Sequence, residues 1–323
     1  MRRWIWIAII VVIGVAAIVM VGDVNKLGDR LVGFGWGAFV ACLGLALLNY
    51  AIRFVRWQLY LRHQQVEVPM ASSALVFGAG LSLSITPAKL GELVKSYLLR
   101  EMHGTSATGT APIVVAERVT YLIALLLLAV VGVPAYGVET TLVIVAAAIV
   151  GSGLVLLAWP RPTRFLIDLV TRPRFTSRFR KPLHEMYGGL AALCRPKLLV
   201  LATLIAVPAW GAECIGFAEI VNAFPGVQVD LGLAMVIYAA TTIAGALSFL
   251  PGGLGVTEAS MTILLVQGAA KLDRAAAVDA TILTRLATLW FAVLLGLVCL
   301  AFARARIARL NPESARASGV SAN

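Results

Sequence analysis

Two short stretches decide the fold: Ser84-Ile-Thr-Pro-Ala-Lys-Leu-Gly91 and Ser248-Phe-Leu-Pro-Gly-Gly-Leu-Gly255. They share the pattern S-x-x-P-x-x-L-G, and each interrupts an apolar region, 71–100 and 231–267, that would otherwise predict a membrane helix. Proline lacks a backbone N–H, and glycine weakens a helix. Broken backbone persists in a bilayer only where protein or a water-filled cavity satisfies its polar groups. Each stretch therefore predicts a helix that enters the membrane, turns at depth and leaves by the same face.

The composition excludes an ordinary soluble protein. Of 323 residues, 60% are hydrophobic and 13% charged, with a mean hydropathy of +0.91, whereas soluble domains carry about 25% charged residues. A formal net charge of +11 would suggest a nucleic-acid partner in a soluble protein. Here the basic residues collect between apolar runs, as they do in cytoplasmic loops. We therefore predict a multi-pass membrane protein with no nucleic-acid partner.

The apolar runs predict an all-α fold of about six transmembrane helices plus the two re-entrant broken-helix hairpins. The first run follows Arg2 and Arg3, and it is too long for the apolar part of a cleaved signal peptide. The basic and aromatic segment 53–63 is expected to follow the end of the second span. The six predicted spans are 4–22, 34–52, 112–133, 140–159, 198–221 and 277–302.

The two interrupted regions also indicate an internal duplication within a single membrane domain, 1–323. The four shared positions recur 164 residues apart, and Arg118 recurs as Arg285 after 167 residues. The first repeat covers about 34–133 and the second about 198–302, joined by spans and a basic loop at 160–197. Three predicted crossings separate the hairpins, so they enter from opposite faces. Such an inverted repeat is typical of transporters with a binding site near the midplane.

Charge predicts the orientation. The loop 160–197 carries nine cations against Asp168 and Glu185, and the tail after 302 is also basic. Predicted outer loops instead carry Asp23, Asp29, Glu139 and Asp230. By the positive-inside rule, both termini lie in the cytoplasm, and we expect a bacterial inner-membrane protein.

Catalytic motifs are missing from the sequence. The four cysteines lie far apart without a C-x-x-C pair, and the three histidines belong to no metalloprotease or hydrolase motif. The sequence therefore predicts neither a metal site nor a cofactor, and we expect no enzymatic activity.

Charged residues inside apolar spans are the candidates for a binding site, because each costs about 2.5–3.5 kcal/mol at a helix centre. The free amides of a broken helix, together with its positive dipole end, suit an anionic group such as a lipid phosphate. Arginines can add charge-assisted hydrogen bonds. The candidate substrate-binding residues are Lys89, Glu92, Glu117, Arg118, Glu213, Thr257, Glu258 and Arg285, and the backbone breaks involve Pro87, Gly91, Pro251, Gly252, Gly253 and Gly255.

Simpler interpretations stay open for several of these residues. Glu92 and Glu258 can merely favour the first turn of a helix. Glu117 and both arginines can lie at headgroup level with their charges in water. Glu213 lies deep in a span, which indicates a functional role or a partner on another helix. Arg53, Arg56 and Trp57 share one face of a helix, at i, i+3 and i+4, and a cytoplasmic aromatic and basic belt explains them almost as well.

These motifs resemble the lysylphosphatidylglycerol synthase transmembrane family. The resemblance rests on segment 82–100, on Glu117-Arg118, on Pro251-Gly-Gly-Leu-Gly-Val-Thr-Glu258, and on Asn49 with Arg56-Trp57. It implies a flippase-like membrane module, like the flippase half of the bacterial multiple peptide resistance factor. Related stand-alone proteins are tied to hopanoid, glycolipid and other envelope-lipid pathways. The matched motif positions are Lys89, Gly91, Glu92, Glu117, Arg118, Gly252, Gly253, Gly255, Thr257, Glu258 and Arg285.

The resemblance implies a lipid translocator or lipid-carrier transporter for a phosphate-bearing envelope lipid. Because the sequence has no nucleotide-binding motif, we expect transport to be downhill or coupled to protons through carboxylates such as Glu213 or Glu258. The full-length synthase adds a soluble domain that transfers lysine, and this chain ends about 20 residues after its last predicted span, so we expect no such transfer. One alternative is a non-transporting, lipid-binding accessory subunit of a glycolipid, hopanoid or glycosyltransferase pathway. Another is an intramembrane transferase with a glutamate base. Expected partners are anionic lipid, an envelope-biosynthesis enzyme and a second copy of the chain.

The predicted topology can be tested with single cysteines. Arg164→Cys and Asp230→Cys should react with a membrane-impermeant maleimide from opposite sides of the membrane, because one predicted span, 198–221, lies between the basic loop and residue 230. Labelling of both from the same side contradicts the topology.

Overall fold

A computed structural model describes residues 33–136, 140–173, 175–267 and 272–310. Within these ranges the regular structure is helical and contains no strand, in agreement with the predicted all-α fold. The predicted first span, 4–22, lies outside the described residues.

Twelve α-helices form the described part of the chain, linked by short helical turns. Three turns of 3₁₀-helix occupy Pro87–Leu93, Ser177–Phe179 and Pro251–Gly253, and the π-helical segment Leu286–Trp290 joins the last two helices. The helices are α1 Trp36–His63, α2 Met70–Leu81, α3 Val94–His103, α4 Ala107–Tyr136, α5 Thr140–Ala158, α6 Pro160–Val170, α7 Arg180–Leu193, α8 Pro196–Asn222, α9 Leu231–Leu247, α10 Val256–Gln267, α11 Arg274–Arg285 and α12 Phe291–Leu310.

Four of the described helical stretches are long and apolar enough to cross a membrane. They are α1, Ala107–Val131 of α4, α8, and the continuous stretch Arg274–Leu310. Shorter apolar helices accompany them, namely α2, α9 and Ala147–Leu157 within α5. The chain is therefore a membrane protein with several spans.

Helix α1 differs from its prediction. Segment 53–63 does not follow a span that ends at Ile52, because it continues the same helix to His63. Arg53 and Arg56 are buried, and Trp57 is fully buried. The belt interpretation is wrong for Arg53, Arg56 and Trp57, because all three are buried among other helices. Arg56 Nη1, for example, donates a hydrogen bond to Thr120 Oγ1 of α4 at 3.0 Å.

Both interrupted regions break where the sequence predicts. The first passes from α2 through the Pro87–Leu93 turn into α3, and the second passes from α9 through Pro251–Gly253 into α10. The two breaks contact each other. The molecule therefore contains two helix–break–helix units joined at their breaks.

The two units pack against different ends of α1. One core cluster joins α2 and α3 to the C-terminal part of α1, through residues such as Trp57 and Leu99. A second cluster joins α9 and α10 to the N-terminal part of α1, through residues such as Cys42 and Leu265.

Helix packing is reciprocal between the first and second parts of the chain. Helix α1 packs along α8, α2 packs against α12, and α9 packs against α4. Small residues allow close approach: Gly78 faces Cys299, and Gly296 faces the backbone of Leu81 and Ser82. Such close approach favours helix association in lipid.

Gly296→Ala should lower the midpoint of thermal unfolding in detergent. An added Cβ would overlap the backbone N of Ser82, and forced overpacking costs about 1–3 kcal/mol. Gly44→Ala in α1 is the matched control, because a Cβ there meets nothing within 4 Å. Equal midpoints for the two variants would contradict the close α2–α12 contact.

Candidate functional site

The first break is held by its own side chains. Thr86 Oγ1 donates to Leu83 O at 2.7 Å and accepts from Gly91 N at 2.7 Å. Pro87 opens the 3₁₀ turn, where a missing N–H costs nothing. At Gly91, a Cβ would come within 2.6 Å of Leu83 Cβ and 2.7 Å of Thr86. The break therefore requires glycine at position 91.

The second break is held by charged side chains. Glu258 Oε2 accepts from Gly255 N at 2.7 Å, and Arg285 Nη2 donates to Gly252 O at 2.5 Å. Gly252 and Gly253 have φ values of 61° and 67°, which glycine adopts readily. Thr257 lies against Gly245 and Gly253, because a Cβ added at either glycine would overlap the hydroxyl of Thr257.

Glu92 is the centre of a buried charge network. Its side chain is 1% exposed and accepts from Arg118 Nη2 at 2.5 Å and from Lys95 Nζ at 3.3 Å. Arg53 Nη2 lies 3.9 Å from Glu92 Oε1, and Ser84 Oγ donates a hydrogen bond to the same oxygen at 3.3 Å. These groups come from α1, the first break, α3 and α4. One carboxylate thus joins the first break to three helices.

A second carboxylate extends this network. Glu117 is buried beside Glu92's partner Lys95 and forms an ion pair with it. The Lys95 ammonium also lies 4.7 Å from the ring centre of Trp57, close enough for a cation–π contact. Lys95 therefore has two carboxylates and an aromatic face as partners.

The second half repeats the central ion pair in a simpler form. Arg285 Nε donates to Glu258 Oε1 at 2.6 Å, as Arg118 donates to Glu92. The π-helical segment begins directly after Arg285, and Tyr50 Oη donates to the carbonyl of Thr288 within it at 2.7 Å. Local π-helical turns are frequent at functional sites.

A cavity of about 330 Å³ lies between the breaks and α4, α5 and α9. Lys89, Arg118 and Arg285 are its charged lining residues, and the described lining includes no carboxylate. Apolar side chains form most of the remaining wall, among them Leu122, Ile149, Leu247, Phe249, Leu250 and Leu289. The cavity can therefore hold an anionic group beside apolar chains.

Lys89 occupies an unusual position in this cavity. Its φ of 54° is a left-handed backbone conformation, rare for residues other than glycine and found often at functional sites. Its ammonium lies 5.0 Å from the ring centre of Tyr121 and 5.9 Å from that of Trp210. The aromatic faces stabilise a cation without neutralising its charge.

Comparison with known proteins gives the same family as the motifs. Residues 5–296 match the family model described as the lysylphosphatidylglycerol synthase TM region. The chain belongs to this family. It is also 24% identical to a UPF0104 membrane protein of Methanothermobacter thermautotrophicus, over 91% of this chain and 95% of that one.

The family's motif residues come together only in part. Lys89, Arg118, Thr257, Arg285 and the Gly252-Gly253 pair line the cavity. The candidates Glu92 and Glu258 do not line the cavity, and each instead forms an ion pair with one of the arginines that do. Pro87, Gly91, Pro251 and Gly255 shape the two breaks without lining the cavity.

Two further glutamates also lie outside the lining. Glu117 is buried within the bundle and bound to Lys95, so its charge does not lie in water. Glu213 is 5% exposed in α8, and its Oε2 accepts from Tyr238 Oη of α9 at 2.5 Å. It therefore has the partner on another helix that its depth indicated. Glu258 lies in the first turn of α10, where it accepts from Gly255 N, and it also binds Arg285. It therefore acts both as a helix cap and as an ion-pair partner.

Sequence reasoning missed the outer part of the network. Arg53 approaches Glu92 and receives its orientation from Asn49, whose Oδ1 accepts from Arg53 Nη1 at 3.5 Å. Thr86 caps Gly91 and lines the cavity. The shared helix face of Arg53 and Arg56 is visible in the sequence, but their partners Glu92 and Thr120 on other elements are not.

Glu92→Gln should lower the unfolding midpoint far more than Glu258→Gln. Loss of one partner from a buried ion pair costs about 3–5 kcal/mol, and Glu92 compensates cations on three helices. Glu258 is 14% exposed and neutralises Arg285 alone among the described residues. Thermal unfolding of both variants in the same detergent measures the difference, and similar midpoints would contradict the central role of Glu92.

Proposed function

We propose that this protein binds the anionic headgroup of a membrane lipid in the cavity and moves that lipid between leaflets. The observation that supports this most directly is the convergence of Lys89, Arg118 and Arg285 on one cavity whose described lining has no carboxylate. Arg118 and Arg285 each pair with a glutamate outside the lining, yet all three cations border the same cavity. A phosphate group, with several acceptor oxygens, is the natural partner for such donors.

The walls of the cavity favour a lipid over a free ion. Phe249, Leu250 and Ile149 line the cavity and are also largely exposed on the surface of the bundle. In a membrane these exposed side chains would face acyl chains. A headgroup could then occupy the cavity while its tails remain in the bilayer.

The proposal includes the finer topology. Six spans cross the inner membrane, the two helix–break–helix units enter from opposite faces, and both termini lie in the cytoplasm. Support comes from the contact between the breaks, from the separate core clusters at the two ends of α1 and from the distribution of basic residues. The reciprocal packing of α2 on α12 and of α9 on α4 supports an inverted duplication of about 34–133 and 198–302.

A second candidate function is lipid binding without transport. Its specific support is the Glu92 network, which ties α1, α3 and α4 to the first break and would resist movement of that break. In this case the protein would serve as an accessory subunit that presents a lipid to an envelope-biosynthesis enzyme. The two functions make the same prediction for binding and opposite predictions for translocation.

Translocation can be measured with the purified protein in liposomes that contain fluorescent phosphatidylglycerol. Dithionite destroys the fluorophore in the outer leaflet, so loss of more than half of the signal reports movement between leaflets. The proposal expects this loss for anionic lipid and little for a phosphatidylcholine analogue. Binding of the anionic lipid without faster movement would support the accessory function instead.

Arg118→Lys should reduce translocation of fluorescent phosphatidylglycerol about tenfold or more, equivalent to ~1.4 kcal/mol. Arg118 uses Nη2 for Glu92, while its Nε and Nη1 have no protein partner in the described structure. These donors can hold two phosphate oxygens, which a lysine ammonium cannot do in the same geometry. Arg285→Lys should also weaken activity, through loss of its bond to Gly252 O.

The matched control is Arg62→Lys at the exposed end of α1. All three variants should retain wild-type expression and a single size-exclusion peak. Full activity of Arg118→Lys and Arg285→Lys would show that both arginines act only as charged anchors, and would remove the reason for placing a phosphate between them.

A further inference from the structure

Helix α6 has two unlike surfaces and no buried residue. Phe165, Leu166, Leu169 and Val170 form one exposed apolar face, and Phe165 is 65% exposed. The opposite side carries Arg161, Arg164 and Asp168. These positions follow the helical period, so the two faces run along the whole helix.

Helix α6 cannot cross a bilayer. Its 11 residues span about 16 Å, whereas the hydrocarbon core is about 30 Å thick. Its position is fixed by the end of α5, because only Trp159 separates the two helices. Thr163 Oγ1 donates to Trp159 O at 3.2 Å, and Tyr187 Oη of α7 donates to Leu157 O at 3.1 Å. Helix α6 therefore starts where α5 ends.

The surroundings of α6 are strongly basic. Its own acidic residue, Asp168, is already engaged by Arg180 Nε at 2.8 Å and by His184 Nε2 at 2.9 Å. The hydrogen bond from His184, followed by that from Arg180, lowers the pKa of Asp168. The exposed cations of this surface are Arg161, Arg164, Arg172, Arg178, Arg180 and Lys181.

We infer that α6 lies in the headgroup region of the membrane, with its apolar face among the acyl chains and its cations on anionic phospholipid. An apolar face beside a dense basic surface is typical of helices that bind anionic bilayers in the interface plane. This inference rests on the proposed topology, in which α5 crosses the membrane and ends at its surface, and not on lipid transport.

Nitroxide scanning of the full chain tests the inference. In a variant without Cys42, Cys194, Cys214 and Cys299, spin labels are placed at Leu166→Cys, Val170→Cys and Arg164→Cys in separate proteins. Each is reconstituted into nanodiscs of phosphatidylcholine, with or without phosphatidylglycerol. Collision with oxygen, which concentrates in the bilayer, is compared with collision with a water-soluble nickel chelate.

With phosphatidylglycerol present, labels at 166 and 170 should collide mainly with oxygen, and the label at 164 mainly with nickel. Without it, nickel collision at 166 and 170 should rise several-fold. High nickel collision at 166 and 170 in both lipids would overturn the inference. So would protection from both reagents, which would mean that a protein segment covers this face.

Charge removal gives the matched comparison. Arg161→Gln/Arg164→Gln/Arg172→Gln should abolish the difference between the two nanodisc compositions at position 166. Arg304→Gln/Arg306→Gln/Arg309→Gln removes the same charge from the end of α12 and should retain that difference. If immersion is equal in neutral and anionic nanodiscs for the starting protein, the recognition of anionic lipid is wrong.

Discussion

The backbone polar groups at the two breaks must be satisfied away from bulk water, and the rest of the structure depends on how this is achieved. Each unsatisfied group in a hydrocarbon environment costs several kcal/mol. The corresponding glycines Gly91 and Gly255 both give their N–H to a side chain, but the acceptors differ: Thr86 in the first break and Glu258 in the second. This difference determines which glutamate is free for other partners.

The two halves have consequently diverged in their electrostatics. Because Thr86 caps Gly91, Glu92 makes no bond to that amide and can gather Arg118, Lys95 and Arg53. Glu258 is divided between Gly255 and Arg285, and Arg285 in turn holds the carbonyl of Gly252. Arg285 therefore binds the backbone, whereas Nε and Nη1 of Arg118 have no hydrogen-bond partner among the described residues.

The sequence predicted the helical class, the family and the positions of both interruptions, because proline, glycine and apolar runs act locally. It also placed Arg118 and Arg285 near the breaks. It failed for segment 53–63, since a local reading takes Arg53 and Arg56 as the end of a span. Their burial depends on Glu92 and Thr120, which lie far away in the chain. Likewise, Glu92 and Glu258 lie outside the cavity lining because each pairs with an arginine that is distant in the sequence.

If the cavity binds an anion as proposed, the charge of the Glu92 network would link stability to ligand preference. Arg53, Lys95 and Arg118 face Glu92 and Glu117, which leaves one positive charge in excess, and Lys89 adds another at the cavity wall. Uncompensated charge in a buried site is costly. An anion held between Lys89 and Arg118 would compensate this buried positive charge, and the stabilisation would contribute to the binding free energy of the anion. A zwitterionic headgroup would bind less strongly, because its own cation would be repelled by the same positively charged wall.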